Sequence, residues 1–254
     1  MALANKIYKF VKKETRNVAS VTHDFGHLRR TAEGAKWFVE FYKGTDEDKD
    51  LAYTAGLLHD IVRPPTSLIC HAKASAKRSR QILRQFKVNN KISKKIIEAV
   101  KDHRGRVEWK NPMHSSIFLA DKIFEQMGAF IVFRRCMYAG ECIESKDEDP
   151  VQNITARFSR NLERINPGEF PKELSDLVRY QYKWSLRFFK SLEKGEKWAI
   201  EIAKYFYPRG RQKKDLEKTI RDFKPKFKES KEYKKETLDY IDGRKFKFFA
   251  KLLK

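Results

Sequence analysis

The chain has 254 residues and carries 56 Lys+Arg against 34 Asp+Glu, a net charge of +22. Apolar residues make up 41%, with 19 Phe to fill a core, and Gly and Pro are scarce at 11 and 8, which disfavours a hairpin-rich β protein. No apolar run reaches the roughly 18 residues of a membrane span.

The opening "MALANKIYKFVKK" places charges where a signal peptide needs an apolar stretch. Three cysteines, Cys70, Cys136 and Cys142, form no metal motif and are too few for a disulfide framework. A soluble, reduced, cytoplasmic protein is expected, with no membrane partner. The excess positive charge suits a polyanionic partner such as nucleic acid. A solvated, lysine-rich surface accounts for it equally well.

Helical periodicity runs through the chain. In "DFGHLRRTAEGAKWFVEFY" (24–42), Leu28, Ala32, Ala35, Val39 and Tyr42 recur at threes and fours. "DEDKDLAYTAGLLHDIV" (46–62) opens with acids, which suit a helix N-terminus, and must end by Pro64-Pro65. Further helices are expected at 72–86 and at 91–105, the latter closed by Gly105. After the turn "WKNPM" comes a long helix or a broken pair over 113–139. Helices then follow over 171–193, 195–207, 210–223 and 230–252. No alternating strand run, repeat or linker is visible. The expectation is an all-α protein with one part over 1–145. A basic helical extension over 146–254 follows, beginning in the acidic loop "ESKDEDP". Residues 201–254 hold 18 Lys+Arg against 9 Asp+Glu.

Candidate ligands gather in the first half. His23 and His27 lie four apart, on one face of a helix. His59 and Asp60 are consecutive, so on a helix their side chains diverge by about 100°. His103 ends a helix, and Asp121 sits in the apolar stretch "SSIFLADKIF". Imidazole nitrogen with carboxylate oxygen is a donor set for Mn, Fe, Ni, Zn or Mg, with no soft thiolate in it. Each residue alone has a plainer reading: a hydrogen-bonded core group, or a helix cap such as Asp24.

Four stretches, "THDFGHLRRTAEGA", "AGLLHDIV", "IIEAVKDHRG" and "LADKIFEQMGAFIVFRRCMYAGE", resemble in order the signatures of the HD-domain metal-dependent phosphohydrolases. They are most similar to the small bacterial and archaeal branch whose first motif reads H-D-x-x-H-x-x-R. The resemblance covers about residues 20–145. It implies a helical bundle around one or two divalent metals (Mn, Ni, Co, Fe, Mg or Zn), held by His27, His59, Asp60 and Asp121. In the resemblance His103 matches a further family histidine near the metal or the substrate phosphate, and Arg134 and Tyr138 fall where that branch carries Arg and Tyr, in contact with substrate. Asp60, both ligand and neighbour, is the candidate to orient a water for catalysis, and His23 and Arg104 are candidates for binding substrate. Two departures are Leu119 and Phe124, where the family often carries acids.

Arg63, three residues past Asp60, is either a phosphate-neutralising catalytic cation or an exposed helix-end charge. The expected activity is hydrolysis of a phosphate ester or anhydride of a nucleotide or another small phosphorylated compound. An HD-type nuclease on single strands, or a nucleic-acid-binding protein with a vestigial site, are the alternatives. In the extension, "YKWSLRFFK" and "KFKFFAKLLK" either bind nucleic acid or pack Trp184, Phe188 and Phe249 inward.

Overall fold

In a computed structural model, residues 2–16, 20, 22–64, 69–104, 112–142, 149–163 and 165–253 are described. Pro65, the Gly105 stop, the start of "WKNPM" and most of the acidic loop lie outside them. Among the described residues the chain is helical throughout, with no strand. No helix among them is long and apolar enough to cross a membrane.

The helices are α1 (Ala2–Glu14), α2 (Phe25–Phe41), α3 (Asp46–Leu58), α4 (His71–Gln85), α5 (Asn90–Asp102), α6 (Pro112–Leu119) and α7 (Gly128–Glu141). They continue with α8 (Pro150–Glu163), α9 (Ser175–Glu193), α10 (Lys197–Arg211), α11 (Leu216–Asp222), α12 (Lys228–Ile241) and α13 (Lys245–Leu252). Two compact units form, one from Met1–Val18 and His23–Phe124, the other from Ala19–Thr22 and Glu125–Lys254. The division falls at Phe124/Glu125 rather than at 145, so α7 belongs with the second unit.

Sequence chemistry explains the ends of the helices that carry the site. Asp24 caps α2, its carboxylate accepting from His27 N at 3.0 Å. The helix therefore starts at Phe25, and His23 lies before it rather than on its face. Thr45 and Asp48 form a reciprocal capping box at the start of α3. That helix stops at Leu58, earlier than the prolines require, with His59 as its C-cap. The stretch 113–139 is a broken pair: α6 passes into a π turn over Ala120–Phe124 before α7 begins.

In the first unit, α2 and α3 cross closely enough that a Cβ on Gly56 would sit 2.5 Å from Ala32 Cα. Only glycine allows the two backbones to meet there. Phe38 stacks on Phe124 at 5.0 Å, tying the π turn to α2, and Ile7 and Val11 of α1 are fully buried.

The second unit has its own core, in which Phe133 meets Phe206 at 4.8 Å and Phe158 meets Phe188 at 5.7 Å. Phe188 and Phe249 are buried as the packing reading expects, and half-buried Trp184 sets its edge against Tyr233 at 4.7 Å. The expected helix over 230–252 is two helices, because Gly243 at φ +74 turns the chain between them.

Candidate metal centre

The C-terminal end of α3, the first turn of α2, the N-terminus of α4, the C-terminal end of α5 and the π turn all contribute to one cluster in the first unit. His27 Nε2 lies 3.2 Å from His59 Nε2. From His27 Nε2 it is 3.7 Å to Asp60 Oδ2 and 3.8 Å to Asp121 Oδ1. His59 Nε2 is 3.8 Å from the same Asp60 Oδ2. On the other side of Asp60, Oδ1 lies 3.4 Å from His71 Nε2 and 3.6 Å from His103 Nε2. Asp60 thus shares its two oxygens between two pairs of imidazoles. The trios His27–His59–Asp60 and Asp60–His71–His103 each bring their donor atoms within 4.8 Å of one another.

Ring orientation leaves the nitrogens that face Asp60 able to bind an ion. His59 Nδ1 is 2.7 Å from Gly56 O and His103 Nδ1 is 2.6 Å from Val100 O. A carbonyl only accepts, so each Nδ1 carries a proton and each ring turns its Nε2 toward the carboxylate; burial keeps the His59 ring neutral, with its Nε2 lone pair open to an ion. Metal-binding histidines are commonly oriented in this way. Asp60 Oδ1 is buried and has no hydrogen-bond partner. A buried anion facing lone pairs is unfavourable until a cation lies between them. The donor set therefore fits a divalent ion of the N/O class.

Electrostatics keep the donors in their binding forms. Burial, outweighing the pull of Asp60, depresses the His59 imidazole to about 3, and burial likewise brings His71 to about 4. Both rings are neutral at physiological pH. Burial alone would raise Asp60, yet the imidazoles of His59, His103 and His27 and the Arg63 guanidinium hold it well below the usual carboxylate range. Asp121 is likewise lowered, with burial opposed by Lys122, His27 and His59. Lys122 Nζ stands 3.2 Å from Asp121 Oδ2.

The other expected site residues fall in three places. Arg63 stands at the rim, its Nη1 donating to Asp60 Oδ2 at 3.0 Å and its Nη2 lying 2.7 Å from His23 Nε2. Arg104 is exposed, with Nη1 3.9 Å from Cys70 Sγ. Arg134 and Tyr138 belong to the second unit. The Arg134 guanidinium donates from Nε and Nη2 to Thr22 O, and from Nη1 to Glu125 O. Tyr138 lies between the guanidiniums of Arg135 and Arg157, at 5.9 and 6.0 Å.

His71 is a member of the cluster that no sequence signal marks. It begins α4 with no liganding partner beside it in sequence, and its place in the second trio appears only when α4 is set beside Asp60.

The family model of the HD domain matches residues 24–222. The chain belongs to the HD-domain family. HD domains form a superfamily of metal-dependent phosphohydrolases, and the match runs well past residue 145. Among solved structures, Bacillus subtilis YpgQ in complex with ADP shares the fold, with a TM-score of 0.57 and 20% identity. That similarity covers 76% of this chain and 95% of YpgQ. No curated protein matches the chain in sequence.

Proposed function

We propose that this HD protein is a metal-dependent phosphohydrolase acting on a nucleotide or another small phosphorylated compound. The observation that carries the reading is Asp60, a buried ionised carboxylate shared between two pairs of imidazole nitrogens. His27, His59, Asp60 and Asp121 would hold one divalent ion, and Asp60, His71 and His103 a second. Bound there, a divalent ion lowers the pKa of water and polarises a phosphoryl oxygen.

The remaining work falls to the chain. Asp60 orients the attacking water through whichever oxygen lone pairs remain. Arg63, a third exposed along its side chain, neutralises charge that builds on the phosphoryl oxygens. His23, beside Arg63, faces the same side of the site and hydrogen-bonds substrate phosphate. The nucleotide preference draws support from the ADP bound by YpgQ, a protein of the same fold.

Protein stripped with EDTA and reloaded with Mn, Ni, Co or Mg should release phosphate or pyrophosphate from members of a nucleotide panel. Silence across all metals and nucleotides would overturn the reading. Cleavage confined to short single strands would reassign the site to a nuclease.

A further inference from the structure

The segment "FKPKFK" (223–228) alternates strictly in exposure. Phe223 is buried and Pro225 and Phe227 are half-buried, while Lys224, Lys226 and Lys228 are exposed. The backbone is extended at both ends, with ψ 125 at Phe223 and ψ 152 at Phe227. An extended chain sends successive side chains to opposite sides, so the three lysines share the outer one. The row then runs into α12. Lys228, Lys231 and Lys235 fall at i, i+3 and i+7, one helical face, away from buried Ser230, Tyr233, Thr237 and Tyr240.

Two features bear on how this row presents its charge. Among the described residues none of the five lysines makes an ion pair, although α12 is rich in carboxylates. Glu232, Glu236 and Asp239 are instead neutralised by Arg187, Lys245 and Arg244. The row is also anchored. Lys226 N donates to Glu201 Oε1 at 2.8 Å, and Lys234 Nζ donates to the carbonyls of Arg221 and Phe223. Its cations are therefore presented by a fixed backbone, and the carboxylates on the same face of α12, Glu232 and Asp239, are held by arginines outside the row.

We propose that Lys224, Lys226, Lys228, Lys231 and Lys235 form a docking row for the phosphate backbone of a nucleic-acid strand. A linear set of unpaired point charges complements a linear polyanion, whose binding draws on counterion release and needs no apolar contact. A protein partner would be anchored by exposed aromatic or aliphatic side chains, and a membrane surface by an apolar face beside the lysines. Here the apolar members of the segment, Phe223 above all, are turned inward. This row is independent of the metal centre and of any hydrolysis there.

The test is fluorescence anisotropy of a labelled oligouridylate with the full chain in EDTA, from about 50 to about 200 mM salt. Five phosphate contacts to a single strand predict a log–log salt slope near −3.5, and a loss of about a hundredfold over that range. The triple variant Lys228→Gln, Lys231→Gln, Lys235→Gln should flatten the slope by about 2 and weaken low-salt binding more than about tenfold. A charge-matched control, Lys183→Gln, Lys190→Gln, Lys194→Gln on α9 and its C-cap, should stay close to the parent. Equal losses in both triples would reduce the effect to net charge and overturn the proposal. So would absence of binding by the parent chain. Binding to phosphatidylserine vesicles but not to the oligonucleotide would also overturn it.

Discussion

His27 and His59 face each other through their Nε2 atoms across 3.2 Å, although they come from different helices 32 residues apart in sequence. The approach is fixed by backbone. Gly56 lets α3 lie against Ala32 of α2, and the Gly56 carbonyl also holds His59 Nδ1. Two imidazole nitrogens at this distance, each within 3.8 Å of Asp60 Oδ2, are arranged to share an ion.

Metal content should follow that arrangement. Protein purified without chelator is expected to carry divalent metal by elemental analysis, and His59→Ala and Asp60→Asn are expected to lose it. Full metal content in His59→Ala, with circular dichroism unchanged, would remove His59 from the ligand set.

The second trio makes a separate prediction. His71→Ala should lower the metal content by about half while the first site stays filled, because each trio has its own imidazole pair. His103→Ala should do the same, and both variants should lose at least about tenfold in turnover. A His103→Ala protein that keeps its full metal complement but turns over slowly would instead make His103 a proton donor to the leaving group.

Arg134 should matter for stability rather than for metal. Its donors are engaged with Thr22 O and Glu125 O, and Glu125 is fully buried and accepts from Tyr240 Oη at 2.7 Å. Arg134 Nη1 also lies 3.8 Å from Glu125 Oε2, so Arg134→Ala removes the cation beside a buried carboxylate and the donors to two carbonyls, and urea unfolding should show a loss of about 3–5 kcal/mol. Tyr240→Phe, which removes one hydrogen bond to the same carboxylate, should cost about 1–3 kcal/mol. A neutral Arg134→Ala would show that the network adds nothing to the fold.

Acid should destabilise the metal-free protein through buried His59 and half-buried His71. His59 is lowered from 6.5 to about 3, and His71 from 6.5 to about 4, chiefly by burial. A depressed folded pKa means that the unfolded chain takes up protons first as pH falls. Stability from these rings is therefore complete above about 6.5 and is lost progressively toward pH 4 and below. In EDTA, Tm should fall over that window, and His59→Gln should flatten the fall. A Tm independent of pH between 7 and 4 would contradict the burial of neutral rings.

Much of this was legible in the sequence, for identifiable reasons. Periodicity located α2 through α5 to within a few residues, because each buries a regular apolar stripe. Ligand chemistry singled out the residues now clustered around Asp60. The π turn was not legible, since "ADKIF" has no residue that demands a wider helix. α8 was less legible although Ile154, Phe158 and Leu162 fall four apart, because it follows directly on a charged acidic loop. His71 had no sequence neighbour to mark it. The unit boundary at Phe124 was hidden inside an apolar stretch, where hydrophobicity gives the same signal on both sides.

The π turn over Ala120–Phe124 bears on how this site tolerates changes in chain length. Such a turn is an α-helix holding one residue more than its regular winding accommodates. Asp121 sits within that surplus. Deleting a single residue between Ala120 and Phe124 would let the helix rewind to its regular winding and remove the bulge that presents Asp121. A library of point substitutions would sample the chemistry of this stretch and leave its length untouched. The sharper genetic sensitivity here is to loss of a codon, which would swing the fourth expected ligand away from His27 without altering the identity of any other residue.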